Sequence, residues 1–143
     1  MQDGRRSFVQ WMLGGGFTAS ILSFIYPAIR FLDPPKTTEA AVNEVPAGKT
    51  TDLKPNAAKI VKFGSAPVLL LRLSETEWKA HSAVCTHLNC TVQYNDVKRL
   101  IWCACHNGYY DLNGQVVSGP PPKPLTEFVV HIRGEEVIIS RQA

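Results

Sequence analysis

The sequence predicts an all-β soluble head that is tethered to a single N-terminal transmembrane α-helix. Three observations support this fold class. An uncharged apolar run lies near the start of the chain, a polar segment rich in proline follows it, and the remainder alternates short apolar stretches with turn signals. The chain has 143 residues, with ten Gly and ten Pro, so beside the helix it has room for one small, turn-rich core.

The N-terminal segment, residues 1–32, is predicted to be a membrane-spanning helix. The run from Ser7 to Ile29 contains 23 residues and no charge. At roughly 1.5 Å per residue this helix is about 34 Å long, which is enough to cross a hydrocarbon core of about 30 Å. We expect the helix to be retained as an anchor in membrane lipid, because no clear cleavage site with small residues follows the apolar run.

The residues before the apolar run predict the orientation of the chain. Arg5 and Arg6 precede Ser7-Phe8-Val9, an order that is similar to the twin-arginine (Tat) export signal. Positive charge before an apolar helix also favours a cytoplasmic N-terminus. Both features place the head on the extracytoplasmic side of the cell membrane, periplasmic or equivalent. An ordinary signal anchor with a basic flank is the alternative.

Residues 33–46 are predicted to be a flexible tether. Their sequence, DPPKTTEAAVNEVP, is polar, is bounded by proline and has no periodic apolar face. Such a segment is either an inert spacer or a hinge that lets the head move.

The head, residues 47–143, is predicted to be antiparallel β-structure. Its apolar stretches are rich in Val, Ile and Leu and are too short for amphipathic helices. The predicted strands are Ala58–Phe63, Pro67–Leu73, Thr76–Val84, Arg99–Trp102, Phe128–Arg133 and Glu136–Ser140. Hairpin turns are predicted at Gly64-Ser65, Asn113-Gly114 and Arg133-Gly134, of which Asn-Gly is the strongest signal.

All four cysteines and two of the four histidines form two short boxes. The first box is CTHLNC, residues 85–90, and the second is CACHNG, residues 103–108. Two thiolates and two neutral imidazoles are the ligand set that distinguishes a Rieske centre from an all-cysteine ferredoxin. Zinc or a pair of disulfides is the alternative, although zinc modules usually space their ligands as C-x2–4-C and H-x3–5-H.

The two boxes resemble those of Rieske proteins from cytochrome bc and b/f complexes. The resemblance continues through Tyr109-Tyr110-Asp111 and the turn Gly119–Pro122, and it covers nearly the whole chain. It implies a Rieske-type antiparallel β-sandwich with a small cluster-binding subdomain at about residues 84–124. It also implies a [2Fe–2S] cluster as the cofactor.

The resemblance assigns roles to residues of both boxes. The ligands it implies are Cys85 and Cys103 on one iron, and His87 and His106 on the other. It pairs Cys90 with Cys105 as a disulfide that clamps the two loops, which suits an oxidising compartment. Leu88 and the Gly119–Pro122 turn would form an apolar lip around the cluster. His81 and His131 match neither box, so we expect surface or core roles for them.

The sequence departs from the family pattern in ways that predict a lower reduction potential. Asn89 and Asn107 replace glycines, and Asn tolerates the positive φ that tight loops need. Gly108 stands where high-potential members carry a serine that hydrogen-bonds a cluster sulfur, whereas Tyr110 keeps the second donor. Such hydrogen bonds stabilise the reduced cluster. We therefore expect a centre suited to menaquinol, whose potential Gly108→Ser should raise.

The resemblance implies an electron-transfer subunit of a quinol:cytochrome oxidoreductase, which is not catalytic alone. His87 or His106 would accept a hydrogen bond from quinol in a cytochrome b partner, and proton uptake by the imidazole would accompany electron uptake. The electron would pass to a c-type cytochrome within a multi-subunit, dimeric complex.

Other functions have less support. The small Rieske subunit of an exported arsenite-type oxidase is the main alternative, and a metal-stabilised structural subunit without a redox role is another. Rieske ferredoxins and oxygenase domains lack equivalents of Cys90 and Cys105 and are cytosolic. The net charge is only +3 and no basic stripe interleaved with aromatic residues occurs, which argues against nucleic-acid binding.

Overall fold

The computed structural model describes residues 3–33 and 42–141. The chain divides into two compact units, Met1–Thr38 and Glu39–Ala143. In the first unit, α1 spans Asp3–Leu32, which confirms the predicted helix. The segment Gly4–Leu32 has a mean hydropathy of 1.4 and is long and apolar enough to cross a membrane.

The hydroxyl groups of Thr18, Ser20 and Ser23 in α1 bond to carbonyl oxygens of the helix itself. The Thr18 hydroxyl donates to the Gly14 carbonyl at 2.6 Å, and the Ser20 hydroxyl donates to the Gly16 carbonyl at 2.9 Å. Because these polar groups bond within the helix, they add little to the cost of placing it in lipid.

The second unit contains ten strands among its described residues. They are β1 Glu44–Lys49, β2 Ala57–Phe63, β3 Ala66–Arg72, β4 Trp78–Ser82, β5 Gln93–Asn95, β6 Leu100–Cys103, β7 Gly108–Tyr110, β8 Val116–Ser118, β9 Glu127–Arg133 and β10 Glu136–Arg141. A short 3-10 helix, Thr50–Asp52, follows β1. All pairings between these strands are antiparallel.

The strands form two sheets that share one core. A six-stranded sheet has the order β1-β10-β9-β4-β3-β2, and a four-stranded sheet has the order β5-β6-β7-β8. Strand β3 is buried on both faces, which explains its continuous apolar run. Leu69 and Leu71 pack in the core that includes Ile101 and Tyr110 of the small sheet. Val68 and Leu70 pack in a second core on the other face.

The structure confirms the predicted β-class and all six predicted strands in position, with ends that differ by a few residues. The three predicted hairpin turns connect β2 to β3, β7 to β8 and β9 to β10. Strand β1 was not predicted, because Pro46 and Gly48 are residue types that are uncommon in strands. Strands β5, β7 and β8 were also missed, because three residues are too few to show a period of two.

The predicted tether lies largely outside the described residues, which do not include 34–41. Strand β1 begins at Glu44, so the last three residues of the range 33–46 belong to the sheet. The remainder of the tether stays a prediction.

His81 on β4 connects the two sheets. Its side chain is fully buried, and its Nε2 lies 3.1 Å from the carbonyl oxygen of Leu112, in the turn between β7 and β8. Because a carbonyl can only accept, Nε2 carries the hydrogen, and Nδ1 is left buried without a partner. A Cβ at residue 114 would lie 3.0 Å from Nδ1, so the glycine there allows the turn to pack on the ring.

We predict that His81 makes the stability of the head fall in acid. Burial lowers the pKa of His81 below its ordinary value of 6.5, although Glu127 and Asp111 favour the cation, and Lys79 disfavours it. Below pH 6.5 the unfolded chain therefore binds a proton that the folded chain resists, and the free energy of unfolding decreases. His81→Gln removes the imidazole that titrates. In denaturant titrations, the free energy of unfolding of the variant should therefore depend less on pH between 6.5 and the lowered pKa. Parallel profiles for the two proteins would contradict this role.

Candidate metal centre

Two short loops at one end of the small sheet carry the two boxes. The first loop is framed by an antiparallel bridge between Val84 and Thr91. Inside it, the Cys85 N–H donates to the Cys90 carbonyl at 2.8 Å, and the Asn89 N–H donates to the Cys85 carbonyl at 3.1 Å. The second loop is the hairpin between β6 and β7, where residues 103 and 108 are paired. Backbone pairing therefore holds both loops at their ends.

Both loops depend on an asparagine in the left-handed region. Asn89 has φ 57° and Asn107 has φ 52°, which confirms that Asn keeps the backbone geometry expected of glycine at these positions. The Asn107 side chain also accepts a hydrogen bond from Trp102 Nε1 at 3.2 Å. The amide of Asn107 thus connects the second loop to β6.

A disulfide joins the two loops. Cys90 and Cys105 are bonded, as the resemblance implied, and Cys85 and Cys103 remain as free, buried thiols. The sulfur atoms of Cys90, Cys103 and Cys105 all lie within 4.8 Å of one another. Two of these sulfurs are consumed by the disulfide, so this trio is not a ligand set, and only Cys103 offers a thiolate from it.

The two imidazoles face each other across the loops. The ring centroids of His87 and His106 lie 4.8 Å apart, with the rings nearly perpendicular. Nδ1 of His87 is buried and has no hydrogen-bond partner. A buried acceptor without a partner is costly, and metal coordination is one way to satisfy it.

The two thiols differ in how readily they ionise. Burial raises the pKa of Cys85, but hydrogen bonds from the Tyr110 hydroxyl and from the backbone amides of His87 and Leu88 outweigh it and lower the pKa. Burial and the neighbouring Cys85 raise the pKa of Cys103. Cys85 is therefore the thiol that ionises first, and backbone donors are already directed at its sulfur.

Tyr110 and Thr86 form a hydrogen-bond network beside the first ligand loop. The fully buried Tyr110 places its hydroxyl oxygen 3.3 Å from Cys85 Sγ and 3.2 Å from both the amide nitrogen and the hydroxyl oxygen of Thr86. The Thr86 hydroxyl donates to the Lys123 carbonyl at 2.7 Å. Its hydrogen is thereby used, which leaves the single Tyr110 hydrogen for either Thr86 or the sulfur of Cys85.

Residues 119–123 cover the site, and this cover segment contacts both loops. Thr86 holds it to the first loop, and Pro121 packs on Gly108 of the second loop, where both residues are buried. Leu88 at the tip of the first loop is 63% exposed. The sequence had predicted Tyr110, Leu88 and Gly108 as site residues, whereas it had not predicted the contacts of Thr86 and Pro121.

The donor set fits a [2Fe–2S] cluster. Two buried free thiols and two facing imidazoles, one of them with an unsatisfied buried nitrogen, lie on two loops that a disulfide clamps. Two thiolate and two neutral imidazole ligands are the combination used by Rieske centres.

Comparisons with known proteins agree with this geometry. The sequence profile of the Rieske [2Fe–2S] domain matches residues 43–129. The cytochrome b6-f complex iron–sulfur subunit of Chlorobaculum thiosulfatiphilum is 34% identical over 137 residues, which are 96% of this chain and 75% of the relative. A chain of a hyperthermophilic respiratory Complex III is 25% identical, with a TM-score of 0.54, and the alignment covers 87% of this chain and 96% of that one. The plasma-membrane Rieske protein of Synechocystis PCC 6803 shares the fold, with 23% identity, a TM-score of 0.62 and coverage of 67% and 98%.

We predict that the disulfide stabilises the cluster-free head more than the cluster-loaded head. The bridge closes a loop with a sequence separation of 15, for which chain-entropy loss predicts about 3 kcal/mol. The double variant Cys90→Ala/Cys105→Ala should lose roughly that amount in denaturant unfolding without cluster, and less with it, because a bound cluster ties the same two loops. Wild-type protein under reducing conditions is the matched control and should behave like the variant. An unchanged unfolding midpoint in the cluster-free variant is the contrary result.

Proposed function

The chain belongs to the Rieske [2Fe–2S] domain family, among the iron–sulfur subunits of cytochrome b6-f and bc complexes, and we propose that it takes electrons from menaquinol and passes them to a c-type cytochrome. It is a membrane-anchored electron-transfer component of an oxidoreductase. The observation that supports the proposal most is the pair of facing imidazoles of His87 and His106 beside two free, buried thiols.

We assign the four ligands as two pairs. Cys85 and Cys103 would hold one iron through their sulfurs, and His87 and His106 would hold the other. For His87 the ligand atom is Nδ1, because this nitrogen is buried and has no other partner. A bound cluster supplies a centre that accepts and returns one electron.

In this proposal, the imidazoles accept the proton that quinol releases on oxidation. With Nδ1 of His87 bound to iron, Nε2 would be the free nitrogen of that ring, and His106 is itself exposed to solvent or to a bound quinol. An unprotonated Nε2 would accept a hydrogen bond from the quinol hydroxyl and then take its proton. Extra negative charge near the ring favours the protonated form, so proton and electron uptake are coupled.

The apolar rim around the two loops directs the head to its partner. Leu88 is mostly exposed, and Pro120 and Pro122 of the cover segment are exposed as well. We propose that this lip docks on the quinol site of a cytochrome b subunit, where it excludes water from the proton-transfer step.

The remaining parts of the proposal concern topology. The basic residues Arg5 and Arg6, at the start of α1 and before its apolar run, favour an extracytoplasmic head and Tat export of the folded, cluster-loaded protein. The segment 33–43 before β1 would act as the tether on which the head moves between cytochrome b and the c-type acceptor in a dimeric complex.

We predict that each proposed ligand is needed for the cluster. Cys85→Ser, Cys103→Ser, His87→Ala and His106→Ala should abolish the EPR signal of the dithionite-reduced protein and lower its iron content. His131→Ala is the matched control, because His131 is exposed on β9 and lies outside the boxes. An intact signal in a ligand variant, or a wild-type chain that binds zinc and gives no signal, would contradict the assignment.

We predict that the complex isolated through this chain oxidises menaquinol. Protein purified from native membranes should contain b-type and c-type haem, and a menaquinol analogue should reduce the c-type haem at least about tenfold faster than a ubiquinol analogue does. The tenfold difference corresponds to roughly 1.4 kcal/mol in the barrier. Co-purification of a molybdenum subunit in place of haem would favour the arsenite-type alternative. Equal rates with both quinols would contradict the assignment of menaquinol.

A further inference from the structure

Pro121 of the cover segment occupies the place where a side chain at residue 108 would lie. A Cβ on Gly108 would be 2.7 Å from Cγ and 3.0 Å from Cδ of Pro121, and 3.8 Å from Cβ of Cys103. Both Gly108 and Pro121 are buried. A side chain at residue 108 would therefore sit between the proline ring and the thiol that we assign as a ligand.

The proline ring cannot move away on its own. Cδ is covalently part of the backbone ring, so a displacement of Pro121 displaces the cover segment. That segment is also held at Gly119, which has φ +94° and where a Cβ would be 2.7 Å from Cα of Gly108 and 2.8 Å from the carbonyl oxygen of Asn107. Two backbones in direct contact leave no slack for an added group.

We propose that Pro121 is a positioning residue that acts with Gly108 to keep a side-chain donor away from Cys103: its ring fills the space that a serine at residue 108 would need, so such a serine raises the potential of the centre only when Pro121 is replaced. This inference rests on the proposed function, since it takes Cys103 as a ligand of the cluster. Gly108 is then more than a missing donor. The absence of a side chain at residue 108 leaves the space that the Pro121 ring occupies, so the two residues depend on each other.

The pairing changes the expectation for Gly108→Ser. The sequence alone predicts that a serine at this position donates to a cluster sulfur and raises the potential. In the structure, the new Cβ meets Pro121 first, so the single variant displaces the cover segment. Pro121→Ala removes Cγ and Cδ, the two atoms in the way, and keeps the backbone of the segment.

The test is a set of six full-length proteins in detergent, each loaded with cluster. They are the wild type, Gly108→Ser, Gly108→Ala, Pro121→Ala, and the two double variants that combine Pro121→Ala with Ser or Ala at residue 108. The alanine variants add the Cβ without a hydroxyl and so separate crowding from hydrogen bonding. Two quantities are measured: the midpoint potential, by EPR-monitored redox titration, and the thermal unfolding midpoint.

We expect both single variants at residue 108 to unfold at a lower temperature than the wild type, or to lose the cluster, and Pro121→Ala to restore them. Of the two double variants, the one with serine at residue 108 should have the higher midpoint potential. The expected difference is roughly 59 mV, which for a one-electron couple corresponds to about tenfold in electron affinity. With Pro121 present, the same exchange should change the potential much less. A purely structural role for Pro121 would alter stability but not this difference in potential.

Three results would overturn the inference. They are unchanged stability of Gly108→Ala, a defect that Pro121→Ala does not repair, and a serine effect on the potential that is the same with and without Pro121. Failure of the proposed function looks different, because the wild type itself would then give no Rieske-type EPR signal. In that case the inference about potential fails with it, although the thermal data would still report the packing of Pro121 on Gly108.

Discussion

The site depends on keeping two short loops, from different parts of the sheet, at a fixed separation. Each loop supplies one thiol and one imidazole, so neither loop could hold the whole donor set alone. The Cys90–Cys105 disulfide connects the loops covalently, and the cover segment connects them a second time through Thr86 and Pro121. The large sheet packs against the loops through the shared core, to which both Cys85 and Tyr110 belong.

This constraint limits which side chains can be accommodated around the centre. The hydroxyl of Tyr110 must reach Cys85, so the tyrosine is fully buried on β7, and its ring cannot shift without disturbing the core. On the opposite side, Pro121 fills the space over Gly108. One side of the donor set is thus hydrogen-bonded and the other is covered by an apolar ring. The low potential that we propose would follow from the missing donor on the side of Cys103, because hydrogen bonds to the sulfurs stabilise a reduced cluster.

Much of this could be predicted from the sequence, and the reason differs from residue to residue. The cysteines and histidines were recognisable because their spacing is rare, and the long strands because Val, Ile and Leu repeat between turns. Asn89 and Asn107 were predictable as substitutes for glycine, because asparagine tolerates positive φ. Contacts between segments were not predictable. Nothing local in the sequence places Pro121 on Gly108, or the Thr86 hydroxyl on the Lys123 carbonyl, since only the folded sheets bring these residues together.

In the proposed centre the two irons have different ligands, thiolates on one and imidazoles on the other. Mössbauer spectroscopy of the chain loaded with iron-57 tests this most directly, because it reports on each iron separately. We expect two ferric components of equal area with distinct isomer shifts in the oxidised protein, and conversion of only one of them, the imidazole-ligated iron, to the ferrous form on reduction. A single ferric component with equivalent irons, or a protein without bound iron, would contradict it.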